Sequence, residues 1–253
     1  MVLTHQHIFQ ESSFAESIEK PDLSLIVPTY NERNNIRELY DRIKKSFNFS
    51  FELIVVDDNS PDGTAEVAEA LNIEYGNVKV CKRPCKLGLS SAVLHGFDHA
   101  NGNILAVIDA DLQHPPEILS EMFSEMFKGN DLVVASRYVK GGGIENWKFS
   151  RKLFSRGAIM LAHMLLPRSR KIADVMSGCF MLRKDILSDA KLNPLGFKIL
   201  LEILSKCQCN KITEIPYTFT NRINGKSNMN HREIQNYLIL LYRLFYDSRI
   251  HPS

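Results

Sequence analysis

The sequence lacks the patterns that identify several common classes of protein. Among its 253 residues there is no apolar run approaching the roughly 20 residues that a helix needs to cross a bilayer. Residues 1–14 contain no basic region followed by an apolar core, which is the arrangement of a secretory signal. We therefore expect that, if the protein works at a membrane, it does so from the surface or through partners.

Cysteine is scarce and shows no paired spacing. The five cysteines include no Cys-x-x-Cys pair and form no His/Cys cluster with the spacing of zinc ligands. An odd number of cysteines in this context favours reduced thiols in a cytosolic compartment over a disulfide framework.

Two common phosphate-binding motifs are also absent. No Gly-x-Gly-x-x-Gly follows the first predicted strand, and no Gly-x-x-x-x-Gly-Lys-Ser/Thr loop occurs in the chain. No Ser/His or Cys/His arrangement for nucleophilic catalysis is evident either. These absences exclude a dinucleotide-type Rossmann site and a P-loop, so a nucleotide would have to be bound in another way.

The most informative stretch that is present covers residues 104–116, with the sequence ILAVIDADLQHPP. Its first half is apolar and rich in β-branched residues, which predicts a strand buried on both faces. Asp109, Asp111 and Gln113 then occupy alternate positions, so their oxygen atoms project to one side at the carboxyl end of the strand. Hard divalent cations prefer such oxygen ligands. We interpret the stretch as a metal–diphosphate site, and the alternative is an ordinary polar loop.

Strands and helices alternate along the first half of the chain. This order predicts a parallel sheet covered by helices on both faces, with ligands bound at the carboxyl ends of the strands. The predicted strands cover residues 23–27, 51–56, 78–81, 104–109 and 131–135. Acidic residues gather at the ends of these strands: Glu32, Asp57, Asp58, Asp109 and Asp111.

The second half of the chain has a different character. The three glycines at 141–143 predict a flexible loop that closes over a ligand. Apolar helices are predicted from Lys152 to Leu166 and from about Glu233 onward, and their wide apolar faces fit either core packing or a membrane interface. Region 148–171 carries seven basic residues and no acidic one. The predicted organisation is a tail at 1–20, a catalytic domain at 21–232 and a C-terminal amphipathic helix at 233–253.

Several motifs between residues 23 and 245 together resemble one family. The match begins with Pro28-Thr29-Tyr30-Asn31-Glu32, Asp57-Asp58-x-Ser60-Pro61-Asp62-Gly63-Thr64 and Asp109-Ala110-Asp111-Leu112-Gln113-His114-Pro115. It continues with Ser136-Arg137-Tyr138, Ser155-Arg156-Gly157-Ala158, Asp174-x-x-Ser177-Gly178 and Arg222-x-x-Gly225-x-Ser227. In these motifs the chain is similar to the inverting GT-A glycosyltransferases of family 2, in particular the dolichol-phosphate mannose synthases. The resemblance implies an α/β GT-A fold, with a Rossmann-like, mostly parallel sheet flanked by helices and amphipathic interface helices at the C-terminal end.

The resemblance also implies roles for individual residues. Asp109, Asp111 and Gln113 would bind Mg²⁺ or Mn²⁺ bridging the donor diphosphate. Catalytic roles fall to Asp111 and to three arginines that hold the phosphate groups, namely Arg137, Arg151 and Arg222. The nucleotide sugar would contact Pro28, Tyr30, Glu32, Val56, Asp58, Asp109, Ala110, Arg137 and Arg222.

Some of these residues also fit structural roles. Tyr30 is compatible with a packing aromatic at a strand end, and Glu32 with an acid favoured at a helix N-terminus. Arg151 also fits a solvated surface arginine. Asp57 is expected to be structural, because adjacent residues at a strand end face opposite ways. The family's usual Gly-Glu-Ser-Lys is replaced here by Gly225-Lys226-Ser227-Asn228, so the basic group lies two positions earlier.

The implied reaction transfers mannose from GDP-mannose to dolichyl (polyisoprenyl) phosphate with inversion, giving dolichyl β-mannosyl phosphate. An alternative with the same chemistry uses UDP-glucose or another nucleotide sugar. The implied partners are the nucleotide sugar, the lipid phosphate, a membrane surface on its cytosolic face and small membrane subunits, with no nucleic acid.

Two other classes of function are less compatible with the sequence. A nucleotidyltransferase would need a glycine-rich basic loop after the first strand, which is missing. A non-catalytic lipid-binding subunit would not need Asp109, Asp111 and Gln113 intact.

Overall fold

The computed structural model describes residues 21–147, 149–193, 195–220 and 231–250, with the backbone alone for His231 and Ile250. The predicted tail at 1–20 lies outside these ranges. Arg222 and Lys226 lie outside them as well. The roles inferred for these residues therefore remain predictions.

The described part of the chain contains nine strands: β1 (Leu23–Thr29), β2 (Phe51–Asp57), β3 (Val78–Lys82), β4 (Ile104–Val107), β5 (Leu132–Ser136), β6 (Gly143–Ile144), β7 (Phe180–Arg183), β8 (Ile212–Pro216) and β9 (Thr218–Phe219). Seven of them form one sheet in the order β3-β2-β1-β4-β7-β5-β8, and β6 pairs with β9. The neighbours β1, β2, β3 and β4 run parallel, as do β5 and β8. The predicted mostly parallel α/β sheet is therefore confirmed.

Helices cover both faces of this sheet: α1 (Arg33–Ser46), α2 (Thr64–Tyr75), α3 (Leu89–Asp98), α4 (Ile118–Phe127), α5 (Phe149–Leu165), α6 (Ile199–Lys206) and α7 (His231–Ile250). One hydrophobic core lies against α3, α5, α6 and α7, and a second lies against α1, α2 and α4. All residues of β1 and β5 are buried, because both strands have a core on each side. The carboxyl ends of β1, β2 and β4 meet at one edge, which brings together residues 28–32, 57–58 and 109–113.

The sheet departs from a parallel arrangement at β7. This strand lies between β4 and β5 and runs antiparallel to both, with Phe180 opposite Val107 and Val134. An antiparallel strand begins where its neighbours end. The segment before β7 therefore reaches the same edge of the sheet, and it places Asp174 and Gly178 beside the residues that follow β4 and β5.

The glycine segment 141–143, predicted to be a flexible loop that closes over a ligand, leads into a short strand, and its closure stays a prediction. Gly143 begins β6 and pairs with Thr218 of β9. Gly142 donates its N–H to the Val139 carbonyl at 2.9 Å. A Cβ at Gly142 would lie 2.6 Å from the carbonyl oxygen of Ser136, so only glycine allows this close approach. These glycines therefore serve backbone packing in this structure.

The long helices α5 and α7 each combine a buried side with an exposed apolar side. In α7, Tyr237, Leu240, Leu241 and Leu244 are buried in the core. The Tyr237 hydroxyl donates a hydrogen bond of 2.6 Å to the Ala158 carbonyl of α5. No helix within the described ranges has the length and apolar character needed to cross a membrane.

The structure corrects one expectation about cysteine. All five thiols are free, but Cys81, His95 and His99 bring their ligand atoms within 4.8 Å of one another. The sequence shows the i,i+4 spacing of His95 and His99 but not their proximity to Cys81, because Cys81 lies on a strand against which the helix packs.

Candidate active site

The segment after β4 forms the centre of the candidate site. Ile108 is fully buried and donates its N–H to the Ile26 carbonyl at 3.2 Å, which extends the pairing of β4 with β1. Asp109 follows and lies against Gly178. A Cβ at Gly178 would approach Asp109 Oδ2 to 2.6 Å, so the glycine leaves the space that this carboxylate occupies.

The next residues make a tight turn. Leu112 has a φ of +59°, in the left-handed region that a branched apolar residue rarely adopts. The turn allows Asp111 Oδ1 to accept the N–H of Gln113 at 3.1 Å. Backbone strain of this kind costs free energy and is often found where side chains must be held in a fixed geometry.

Gln113 is anchored from the far end of the chain. Its Nε2 donates to the Thr220 carbonyl at 2.9 Å, and its own carbonyl accepts the Thr220 N–H at 3.3 Å. The bond from Nε2 fixes the orientation of the side-chain amide, and the backbone bond holds Gln113 beside Thr220. Asp109, Asp111 and Gln113 thus offer three oxygen donors within five residues, a set whose chemistry fits Mg²⁺ or Mn²⁺.

Residues predicted to contact the nucleoside lie at the ends of β1 and β2. Pro28 is opposite Val56 in the register of these strands, and both are buried. Tyr30 is half-buried, and the Lys86 ammonium lies 3.8 Å from the centroid of its ring. Glu32 accepts a hydrogen bond of 2.6 Å from Asn35 in the first turn of α1. The structure thus brings the predicted donor residues to one edge, and their ligand contacts remain predictions.

Asp57 and Asp58 bind different parts of the protein. Asp57 accepts hydrogen bonds from the Thr29 hydroxyl at 3.0 Å and from the Ser60 N–H at 2.8 Å, which fits the structural role expected for it. The Asp58 carboxylate accepts a hydrogen bond from Arg83 Nε at 2.5 Å. It also accepts hydrogen bonds from the backbone N–H groups of Leu87 and Gly88 at 3.1 Å each. The carboxylate of Asp58 therefore holds the loop that precedes α3.

Arg137 forms a second buried ion pair. Its Nε and terminal nitrogen donate to the two oxygens of Asp174 at 2.8 and 2.7 Å. Burial disfavours the charged guanidinium, but the hydrogen bonds and charge of Asp174 outweigh it, so the pKa of Arg137 lies above its ordinary value. Its Cζ also lies 5.4 Å from the ring centroid of Phe219 and 5.6 Å from that of Trp147.

Two further titratable side chains line this region. Burial, together with the charge of Arg137, lowers the pKa of His114 to about 3, so its imidazole is neutral. Its Nδ1 lies 3.8 Å from Asp109 Oδ2. The same two causes lower the pKa of Lys198 to about 8. The Lys198 ammonium donates to the Met176 carbonyl at 3.1 Å.

Of the other two predicted arginines, the structure describes Arg151 but not Arg222. Arg151, in the first turn of α5, places its Cζ 4.0 Å from the ring centroid of Trp147. Nearby, the Tyr138 hydroxyl donates to the Ser155 hydroxyl at 2.8 Å, which ties α5 to the segment after β5. Arg222 lies beyond the residues that the structure describes.

Sequence reasoning did not single out Arg83 or Lys198. Arg83 lies after a short strand with no distinctive motif, and Lys198 precedes α6 in an ordinary apolar context. Both become candidates only because folding brings them to the acidic edge of the sheet. Asp174 belongs to a motif noted in the sequence, but the pattern did not reveal its pairing with Arg137.

Comparison with known proteins identifies the family. The model of Glycosyl transferase family 2 matches residues 24–190, which is more than half of the chain. The chain therefore belongs to this family of transferases.

Curated relatives indicate which enzymes of this family the chain resembles. The chain is 48% identical over 223 residues to the dolichol-phosphate mannosyltransferase of Pyrococcus furiosus, which covers 88% of the chain and 63% of the relative. It is 39% identical over 237 residues to the enzyme of the same name from Saccharomyces cerevisiae, covering 88% of the chain and 87% of the relative. The chain thus spans less than two thirds of the archaeal relative and most of the yeast one. The predicted resemblance to dolichol-phosphate mannose synthases is confirmed.

Solved structures support the same fold. Glucosyl-3-phosphoglycerate synthase from Mycobacterium tuberculosis, in complex with Mn²⁺, UDP-glucose and phosphoglyceric acid, is similar with a TM-score of 0.66 and 19% identity, over 90% of this chain and 79% of that one. Its complex with Mg²⁺ and UDP has a TM-score of 0.64 at 19% identity, with the same coverage. At this level of identity the likeness concerns the fold, and it confirms the predicted GT-A architecture.

Proposed function

We propose that the protein transfers mannose from GDP-mannose to dolichyl (polyisoprenyl) phosphate, with inversion and with a requirement for a divalent cation. The observation that carries this proposal is the set of oxygen ligands after β4, placed beside buried cations in a chain related to dolichol-phosphate mannosyltransferases. The chemistry of the site accounts for each requirement of such a transfer.

The acceptor needs no strong base. A phosphate monoester has a second pKa of about 6, so its oxygen is already anionic at neutral pH. This oxygen forms a bond with the anomeric carbon of mannose while the bond from that carbon to the GDP β-phosphate oxygen breaks. The electron pair leaves with GDP, and the configuration of the carbon inverts. His114, whose pKa is lowered to about 3 by burial and by the charge of Arg137, is a weak base, which is consistent with a reaction that needs no proton acceptor.

The chief physical difficulty is repulsion between the acceptor phosphate and the donor diphosphate. A cation held by Asp109, Asp111 and Gln113 would supply positive charge to the leaving diphosphate. On the side of β5, we assign phosphate contacts to Arg137, Arg151 and the newly recognised Lys198. Arginine suits this role because its planar guanidinium matches the geometry of phosphate oxygens.

A groove beside Arg137 offers a place for the lipid. It has a volume of about 270 Å³ and is lined by Tyr138, Arg156, Ile159, Met160, His163 and Ala173. Two of its lining residues, Tyr138 and Ala173, directly follow Arg137 and directly precede Asp174 in the chain. Apolar walls with an arginine suit an isoprenyl chain that carries a phosphate.

We further propose that α5 and α7 contact a membrane surface at its cytosolic face. On α5, the exposed apolar side chains are interspersed with the basic residues Arg151, Lys152 and Arg156, and α7 packs against α5. This combination favours anionic lipid surfaces. The exposed apolar residues are Phe149, Leu153, Phe154, Met160 and Met164 on α5, and Leu238, Ile239, Tyr242 and Tyr246 on α7.

Transfer of radiolabelled sugar into polyprenyl phosphate tests the reaction. We expect labelling from GDP-mannose with Mn²⁺, loss of labelling with EDTA, and recovery when Mn²⁺ is restored. Asp111→Ala should lower the rate by about 10²-fold or more, whereas Asp185→Ala, at an exposed ion pair with Arg183, should leave it unchanged. Labelling from UDP-glucose alone would contradict the choice of donor and leave the reaction type intact.

Sedimentation with vesicles tests the membrane surface. We expect binding to vesicles that contain anionic lipid and weaker binding to neutral ones. Leu153→Glu on α5 should reduce binding. Ile73→Glu is the matched control, because Ile73 is 89% exposed on α2, outside this face. Equal binding of both variants would contradict the assignment, and co-purification with small membrane proteins would test the other predicted partner.

A further inference from the structure

Cys81, His95 and His99 form a compact group of side chains between the edge strand β3 and the helix α3. Cys81 lies on β3, the edge strand of the large sheet, and His95 lies on α3. His99 follows one helical turn later. Their sulfur and ring nitrogen atoms all lie within 4.8 Å of one another, and the two imidazole centroids are 4.4 Å apart.

A hydrogen bond orients one of the imidazoles for coordination. His99 Nδ1 lies 2.8 Å from the His95 carbonyl oxygen. When Nδ1–H donates to this carbonyl, the lone pair lies on Nε2. Histidines that bind metals are commonly held in this way, with one nitrogen bonded to a carbonyl and the other on the metal.

The distances require only small adjustments. Zinc–sulfur bonds of about 2.3 Å and zinc–nitrogen bonds of about 2.0 Å place tetrahedral ligands roughly 3.5 Å apart. Because the three atoms now lie within 4.8 Å of one another, each separation would shorten by at most about 1.3 Å. Rotations of the half-buried histidines can provide this change. Three protein ligands leave a fourth position for water.

The ligand types select the kind of metal. A thiolate with two imidazoles suits Zn²⁺ or a similar borderline-soft ion, whereas the oxygen ligands after β4 suit hard cations. We propose that Cys81, His95 and His99 bind Zn²⁺ at a second metal site, distinct from the one formed by Asp109, Asp111 and Gln113. On binding, the Cys81 thiol gives its proton to solvent as the zinc–sulfur bond forms.

This site would join two elements that support the nucleotide edge. Zinc would link β3 to the end of α3. Arg83, which binds Asp58, follows Cys81 by two residues, and Ser91 in the first turn of α3 accepts a hydrogen bond of 2.7 Å from the Arg83 guanidinium. Occupancy should therefore raise the thermal stability of the full chain.

Titration of the metal-free full chain with Co²⁺, followed by competition with Zn²⁺, tests the proposal. We expect Co²⁺ at this site to show the visible spectrum of tetrahedral cobalt and a thiolate charge-transfer band, which oxygen ligands do not give. Cys81→Ser should remove that band. Because Cys81 is buried, His95→Gln and His99→Gln serve as independent variants, and each should weaken Zn²⁺ binding by about tenfold or more.

Three controls separate this site from others. Cys85→Ser, at an exposed thiol, and His163→Gln on α5 should bind Zn²⁺ as the wild type does. Asp111→Asn should also retain the cobalt spectrum while it impairs sugar transfer, so the two metal sites are judged separately. Absence of the thiolate band, or affinity unchanged in both histidine variants, would overturn the proposal.

Discussion

Two buried arginine–aspartate pairs flank the candidate metal ligands, and they differ in what they hold together. Asp58, just after β2, and Arg83 both bond to the loop that ends at Gly88, since Asp58 accepts the N–H groups of Leu87 and Gly88 and Arg83 donates to the Gly88 carbonyl. This pair therefore fixes a loop on the side where we expect the nucleoside.

The pair of Arg137 and Asp174 joins segments that are far apart in the chain. The Asp174 N–H donates to Glu214 Oε1 at 3.1 Å, and the Arg137 backbone N–H donates to Asp174 Oδ2 at 3.0 Å. Aromatic rings from two other segments surround the guanidinium. The comparison indicates that the pair of Arg83 and Asp58 fixes one loop. The pair of Arg137 and Asp174 holds together the segments that follow β5, precede β7 and form β8.

The largest effect is expected from Asp174→Ala. Removing this carboxylate leaves the Arg137 charge buried without its partner, which should lower the free energy of unfolding by about 3–5 kcal/mol. Chemical denaturation measures the loss. The double variant Asp174→Leu with Arg137→Met should recover most of it, because neither charge then remains. A loss below about 1 kcal/mol would mean that the pair behaves like a surface ion pair.

Gly178→Ala should affect catalysis more than folding. The added Cβ would meet Asp109 Oδ2 at 2.6 Å and displace this carboxylate. A displacement of about 1 Å at a reacting centre can lower the rate by about 10²-fold. Steady-state kinetics measures this effect, and Gly157→Ala, where no atom lies within 4 Å of the added carbon, is the control. Equal rates in the two variants would contradict the placement of Asp109.

Asp58→Ala should cost less stability than Asp174→Ala. Arg83 keeps its bonds to Ser91 and Gly88, so the expected loss is about 2 kcal/mol, typical of hydrogen bonds to a charged group. The KM for the nucleotide sugar should rise because the loop 83–88 loses its anchor. Glu74→Ala, in the exposed pair with Arg37, should change neither quantity. An unchanged KM in Asp58→Ala would show that this loop does not contribute to binding of the nucleotide sugar.

The smallest effect concerns pH. If the Lys198 ammonium binds the diphosphate, its charge is lost as pH rises through about 8. The value of kcat/KM for the donor should then fall by about tenfold per pH unit above that point. Lys198→Arg should remove this decline, since arginine stays charged. The same decline in both enzymes would exclude Lys198 as its cause.

The folding stability should show the opposite trend for the same group. Between the lowered pKa of about 8 and the ordinary value of 10.5, the unfolded chain binds more protons at this lysine than the folded chain. The contribution of Lys198 to stability therefore rises with pH across this window. Comparing wild type with Lys198→Met by denaturation at several pH values measures it.

The sequence predicted the parallel part of the fold because its signals are local. The apolar run of β1 indicates a strand buried on both faces. The helical spacing of Ile36, Leu39 and Ile43 indicates a helix with one buried face. The acids after β2 and β4 are also a local signal, because carboxylates at the end of a buried strand are costly unless they are paired or bind a metal.

The rest of the site depends on contacts between distant segments. Nothing in the sequence near Phe180 shows that β7 runs against its neighbours, and the pairing of Arg137 with Asp174 follows from that direction. Lys198 likewise has no local signal. His95 and His99 show a helical i,i+4 spacing in the sequence, but their proximity to Cys81 follows only from the packing of α3 on β3.

The antiparallel course of β7 also bears on how the chain can fold during synthesis. Until residues 180–183 leave the ribosome, β4 has an unpaired edge and β5 has no neighbour on that side. The same insertion brings Asp174 and Gly178 to the edge that carries the candidate site. The pairing of β7 with β4 and β5 and the arrival of Asp174 and Gly178 are therefore one event, and β8 joins β5 only after it. Such late closure leaves an aggregation-prone edge exposed for longer.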